Sequence, residues 1–121
     1  MKIVYSYYVL DIVHKGHLHM MKNSKAMAGD DGKLVVGILT DEAVMEKKPK
    51  PILSFEERMD LASSIKYVDA VVAQSSYSPL DNVKDIRPDI LMESSSHDEA
   101  DIQNCRDYME GIGGRVIVIP Y

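Results

Sequence analysis

Apolar positions along the chain gather into short β-branched runs, and the stretches between them carry helical spacing. Ile3 to Tyr7, Leu34 to Leu39, Ala70 to Ala73, Ile90 to Glu93 and Val116 to Ile119 are the strand candidates. Leu34-Val35-Val36-Gly37-Ile38-Leu39 is apolar almost throughout, the pattern of a strand covered on both faces. Ser54-Phe55-Glu56-Glu57 reads as a capping box, in which the Ser54 hydroxyl and the Glu57 carboxylate satisfy orphan amides reciprocally. Phe55, Met59, Ala62 and Ile65 then give that helix one apolar stripe. Ser78-Pro79 predicts an N-cap followed by proline at the first helical position, opening a short helix that ends before Pro88. A further helix, near Asp98 to Glu110, ends at Gly111-Ile112-Gly113-Gly114, which supplies a C-cap and a turn into the last strand.

Strands alternating with helices over short connections imply right-handed crossovers and a mostly parallel sheet covered by helices, hence a single α/β domain. The linker-like segment Glu46 to Pro51 is too short to divide it. Ligands of such sheets sit beyond the carboxyl ends of the strands, which directs attention to the loops after Tyr7, Leu39, Ala73 and Glu93.

Composition narrows the partners. With 14 basic against 19 acidic residues and a net charge of -5, the chain lacks the basic surface that nucleic acid requires. Cys105 is the single cysteine, which rules out an internal disulfide and makes a reducing, cytoplasmic setting the expectation. No apolar run approaches the ~20 residues of a membrane span, so no membrane partner is expected.

The loop after the first strand holds the chemistry. It reads Tyr8-Val9-Leu10-Asp11-Ile12-Val13-His14-Lys15-Gly16-His17, with the histidines flanking the expected start of a helix. Unpaired amides at a helix N-terminus attract anions, and a glycine lets a phosphate approach the backbone. Imidazoles placed there can donate to phosphate oxygens as charge develops in a phosphoryl or nucleotidyl transfer. Two histidines with one nearby carboxylate underfill a zinc site, so no metal ligands are predicted. His19 lacks this setting and reads as an ordinary helix residue.

His14-Lys15-Gly16-His17 resembles the HxGH motif of the cytidylyltransferase-like nucleotidyltransferases, and similarity at matching spacing extends through most of the chain. It includes Leu39 to Ala43, Lys47 and Lys50, Ser54 to Arg58, and Ile65 to Asp69. The pattern is closest to phosphonate-associated, glycerol-phosphate and heptose nucleotidyltransferases. The resemblance implies a Rossmann-like parallel sheet of about five strands with helices on both faces. It implies transfer of a nucleotidyl group to a small anionic acceptor, phosphorylated or phosphonate, with release of pyrophosphate. CTP is the first choice of nucleotide and ATP the second, as for an adenylyltransferase of sugar-phosphate, lipopolysaccharide-core or cofactor biosynthesis. His14, His17 and Lys47 are the implied catalytic residues. Val9, Leu10, Asp11, Gly16, Lys50, Arg58 and Asp69 are the implied nucleotide-binding ones. Mg²⁺ would bridge phosphates and be held mostly by substrate oxygens and water. A homodimer is also implied.

Three departures accompany the resemblance. Tyr8 stands where the family has a small residue before the histidines, which predicts a narrowed pocket. Glu93-Ser94-Ser95-Ser96-His97 replaces a loop that commonly carries Gly-Asp-Asp, and is expected to be a polar loop. The domain, spanning 1–121, is expected to lack the family's C-terminal Ser/Thr-rich motif and helix, because the sequence ends at Tyr121. A nucleotide-binding module that keeps the fold without turnover is therefore the alternative to an enzyme.

Overall fold

The structure, a computed structural model, describes residues 1–120. Strand β1 (Ile3–Tyr8) leads to helix α1 (Lys15–Ala28), β2 (Lys33–Leu39), the short α2 (Asp41–Met45) and α3 (Phe55–Ser63). The chain continues through β3 (Ala70–Gln74), α4 (Leu80–Ile86), β4 (Ile90–Ser94), α5 (Glu99–Gly111) and β5 (Arg115–Ile119). All strand pairings are parallel, in the order β3-β2-β1-β4-β5. The Rossmann-like five-stranded sheet expected from the sequence is thus the observed one. The expected final residue, Tyr121, lies outside the described residues, and so does any reading drawn from it.

Side chains of β1 alternate between two cores because successive strand residues point to opposite faces. Val4 and Tyr8 join Met21 and Ala28 of α1 and Ala62 of α3 on one face. Tyr5 and Tyr7 join Ala43 and Val44 of α2, Val83 of α4 and Ile102, Cys105 and Met109 of α5 on the other. Burial pushes the Cys105 thiol up to about 12, which makes it an inert packing residue.

The Ser54–Glu57 capping box forms as predicted, with the Glu57 amide donating to Ser54 Oγ and the Ser54 amide to Glu57 Oε1. The start of α4 differs by one residue. Pro79 itself occupies the cap position with φ -79° and ψ 0°, while Ser78 Oγ accepts from the Leu80 amide at 3.3 Å. Helix α2 has no periodic stripe to announce it; Thr40 Oγ1, accepting from the Ala43 amide, defines its start.

Gly37 sits over a buried polar network. Tyr5 Oη donates to Gln74 Oε1 at 2.6 Å and accepts from Asn82 Nδ2 at 2.9 Å, which ties β1 to β3 and α4. A Cβ on Gly37 would meet Tyr5 Oη at 1.9 Å. Gly37→Ala is therefore expected to destabilise the fold by about 1–3 kcal/mol, read as a lower urea midpoint. Tyr5→Phe/Gly37→Ala should recover part of the packing loss; equal costs in both backgrounds would refute the clash as the cause.

Candidate active site

Strand order reverses between β1, which continues to β2, and β4, which lies on its other side, and this switch point opens a crevice at the carboxyl ends. A cavity of about 610 Å³ lies there. Its walls come from the end of β1 and the start of α1, from the loop after β4, and from Lys48 and Tyr77.

The histidines form the start of α1. His14 is the N-cap, with φ -137° and ψ 175°, and its Nδ1 accepts from the Gly16 amide at 3.0 Å. His17 Nδ1 accepts in turn from the His14 amide at 3.3 Å. The pair is a capping box built from imidazoles, with ring centroids 4.0 Å apart. An Nδ1 that accepts from an amide carries no proton, so the hydrogen of each neutral ring is assigned to Nε2. Capping thus consumes one nitrogen of each ring and reserves the other as a donor. Gly16 has a second reason to be glycine besides phosphate access: a Cβ there would lie 2.8 Å from His14 Cε1. Gly16→Ala is expected to displace the His14 ring, and the cap should weaken by about 1 kcal/mol in urea denaturation. An unchanged urea midpoint would show that the ring accommodates the methyl.

Tyr8 lines the cavity beside the histidines. Its ring is buried and meets the His17 ring edge-on, with centroids 5.7 Å apart and an interplanar angle of 87°. The residue that departs from the family's small one therefore contributes to the cavity wall and contacts His17 there. Burial first, and His14 next, hold the His17 imidazole down to about 4. A folded value below the ordinary 6.5 means that the unfolded chain binds more protons between those limits. Stability contributed by neutral His17 is present above pH 6.5 and is lost as pH falls towards 4. Urea midpoints should therefore fall between pH 7.5 and 5 by more in the wild type than in His17→Gln; parallel lines would refute this.

The loop from Val9 to Val13 is fastened from behind. Leu10 adopts a left-handed conformation, φ 62°, which costs a non-glycine residue energy unless its surroundings impose it. Before it, the Val9 carbonyl accepts from Arg58 Nη1 at 2.9 Å. After it, the Asp11 carboxylate accepts from the amides of Leu53 and Ile52 at 2.8 and 3.0 Å, and these bonds hold its carboxyl below the usual range. Arg58 is fully buried; it also donates to the Leu39 carbonyl and to Asp41 Oδ1, both at 2.7 Å.

The expected site residues therefore separate. His14, Gly16, His17 and Val9 line the cavity. Leu10, Asp11 and Arg58 lie behind its wall and shape it, because their polar groups and apolar surface are spent on the protein itself. Lys48, rather than Lys47 or Lys50, joins the lining. Lys47 Nζ turns to α5, 3.6 Å from Asp101 and 4.0 Å from Asp98, and lies 5.1 Å from the Tyr77 ring centroid. Lys50 is exposed outside the lining. Asp69 is not brought to the others: it sits before β3, at the amino ends of the strands, at the opposite end of the sheet from the histidine loop. Burial opposes its ionisation, but Lys25 at 2.7 Å and the Leu34 amide at 2.8 Å prevail and hold its carboxyl low. Tyr7, Tyr77 and His97 line the cavity without having been expected from the sequence. The available signal was Glu93, an acid ending an otherwise apolar strand.

No carboxylate is among the lining residues, and the described residues include no group of three or more metal-ligating side chains. The side-chain donors present are imidazoles, hydroxyls, the Asn23 amide and one ammonium, a set that suits anions better than a hard divalent cation. No described helix is long and apolar enough to cross a membrane.

Residues 9–118 match the family model described as cytidylyltransferase-like. An FAD synthase of Korarchaeum cryptofilum is 42% identical over 82 residues, which covers 67% of this chain and 55% of the relative. The bifunctional protein HldE of Hyphomonas neptunium is 29% identical over 99% of this chain and 24% of its own length. The chain thus spans about half of the first relative and a quarter of the second. Among solved structures, the lipopolysaccharide core biosynthesis protein of Thermoplasma volcanium superposes with a TM-score of 0.79 at 28% identity, covering 99% of this chain and 95% of that one.

Proposed function

The chain belongs to the cytidylyltransferase-like family, and we propose that it transfers a nucleotidyl group from a nucleoside triphosphate to a small phosphorylated or phosphonate acceptor. The observation that carries this reading is the imidazole capping box, which leaves two Nε2 donors beside a cavity at the sheet's switch point. In the reaction, an acceptor oxygen attacks the α-phosphorus. A new phosphorus–oxygen bond forms, the α–β bridge breaks, and pyrophosphate leaves with the bonding pair. His14 and His17 donate to phosphate oxygens whose charge grows on the way, which lowers the barrier without a covalent role for the protein. Lys48 supplies positive charge at the cavity wall. Lys47 can add to it on leaving Asp101, since an ion pair this exposed is weak. Mg²⁺ would enter with the triphosphate as part of the substrate, in keeping with a lining that lacks carboxylates.

ATP is our choice of nucleotide. The motif resemblance by itself favours CTP, but the FAD named for one relative contains an adenylyl unit joined to a flavin phosphate. The test is pyrophosphate release with ATP or CTP against FMN, glycerol 3-phosphate, sugar 1-phosphates and alkyl phosphonates. We expect ATP to support release with one acceptor class at least tenfold faster than CTP. Preference for CTP would reverse the nucleotide assignment. Absence of release with every pair would remove the enzyme reading and leave a nucleotide-binding module.

A further inference from the structure

The carboxyl end of β4 carries a buried cluster apart from the imidazole capping box. Glu93 is fully buried, and a carboxylate in that position requires hydrogen-bonding partners. Tyr7 Oη lies 2.7 and 2.8 Å from its two oxygens, and His97 Nδ1 lies 2.5 Å from Oε1. Burial, and then the charge of Glu93, push the Tyr7 phenol far above its ordinary value, so Tyr7 keeps its proton and donates it. With Glu93 accepting, the hydrogen of the His97 ring is assigned to Nδ1, and Nε2 is left as the other ring nitrogen. Stacking on Tyr7, with centroids 5.1 Å apart at 24°, holds the ring in the cavity wall.

This arrangement inverts that of His14 and His17. Their Nδ1 atoms accept from the backbone, whereas the Nδ1 of His97 donates to a carboxylate. The cavity therefore has one side whose imidazoles are fixed as Nε2 donors and another whose imidazole presents Nε2 with Glu93 behind it. Ser94 Oγ and Ser96 Oγ, 2.8 Å apart, lie on that second side. An anion there meets no carboxylate in the lining.

We propose that His97 binds the acceptor: its Nε2 holds the phosphate of a phosphomonoester through one shared proton, while His14 and His17 hold the triphosphate. Glu93 is the positioning residue that aims it. The assignment rests on the nucleotidyl-transfer reading for the identity of the second substrate, and the imidazole resonances test the two separately. The probes are the α,β-methylene analogue of ATP, then FMN and glycerol 3-phosphate added to the protein saturated with that analogue, followed by proton–carbon NMR of the histidine rings. We expect the analogue to move His14 and His17, and at least one phosphomonoester to move His97. In His97→Gln and Glu93→Gln, phosphomonoester affinity should fall at least tenfold while analogue affinity stays within twofold. His97 lies at the cavity wall, so His97→Gln gives a folded variant even where Glu93→Gln does not. If neither phosphomonoester moves His97 while the analogue moves the other two, the inference falls and the nucleotide reading stands. If the analogue moves no histidine, the nucleotide reading falls, and a His97 response to a phosphomonoester still supports a phosphate site. Analogue affinity falling with phosphomonoester affinity unchanged would assign this wall to the nucleotide and overturn the proposal.

Discussion

Replacing His14 and His17 together with alanine is expected to reduce pyrophosphate release by about 10³-fold or more, since one preorganised donor to a developing oxyanion is worth roughly 10²–10³. Two effects would be mixed in that variant. Each imidazole also caps α1, and removal of a cap costs about 0.5–2 kcal/mol. Asparagine separates them at position 14. Its Oδ1 can accept from the Gly16 amide as Nδ1 does now, but the shorter side chain has no donor at the place of Nε2. His14→Asn should therefore keep the urea midpoint close to that of the wild type while losing most of the rate. Alanine should lose both. The pair is expected to be non-additive, because the rings are 4.0 Å apart and serve one charge. Retention of more than a tenth of the wild-type rate in the double variant would remove the histidines from the chemistry. A His14→Asn variant as active as the wild type would reduce His14 to a helix cap.

Arg58→Met is the largest expected stability loss. The guanidinium is fully buried and bonded to the Val9 carbonyl, the Leu39 carbonyl and Asp41. Methionine fills much of the volume and leaves the two carbonyls and a carboxylate without their donor. Breaking a buried pair from one side costs about 3–5 kcal/mol. Arg58→Lys should recover little, since one ammonium cannot reproduce a planar fork that spans three acceptors. The loop would suffer as well, because the left-handed Leu10 is held between the Val9 and Asp11 anchors. We expect the urea midpoint to drop and amide exchange to accelerate from Val9 to Val13 ahead of the rest of the sheet. A cost below about 1 kcal/mol would mean that water replaces the guanidinium, contrary to its complete burial. Asp41→Asn tests the ion pair alone and should cost less than Arg58→Met, because Asp41 is partly exposed and the amide oxygen still accepts.

Strand positions were readable because β-branched residues in short runs have one way to be buried, in a sheet covered on both faces. The Ser54–Glu57 box was readable because its partners are three residues apart and need nothing from the rest of the chain. The histidine loop was readable for the same reason: cap, glycine and second imidazole fall within four consecutive residues. Arg58 reads from sequence as a nucleotide-binding residue at a helix start, whereas the structure spends its guanidinium on the protein itself. Its partners lie 49, 19 and 17 positions away, so only the packed fold brings them to it. Lys47 and Lys48 show the limit at close range. Both belong to one basic loop, and the sequence favours Lys47, but the approach of α5 turns Lys47 to its acids and leaves Lys48 to the cavity. Asp69 stands apart through direction: a residue before a strand sits at the end of a parallel sheet opposite the crevice.

Sequence alone set the alternation of strands and helices, the parallel sheet, and the histidine-flanked start of α1. These follow from periodicity and from hydrogen bonds between near neighbours. Tertiary structure decided which side chains face the cavity and which brace it. Tyr7 and His97 are 90 positions apart, and Glu93 joins them because β4 lies against β1 in the sheet. A carboxylate in that place acquires its chemistry from contacts that no local pattern encodes.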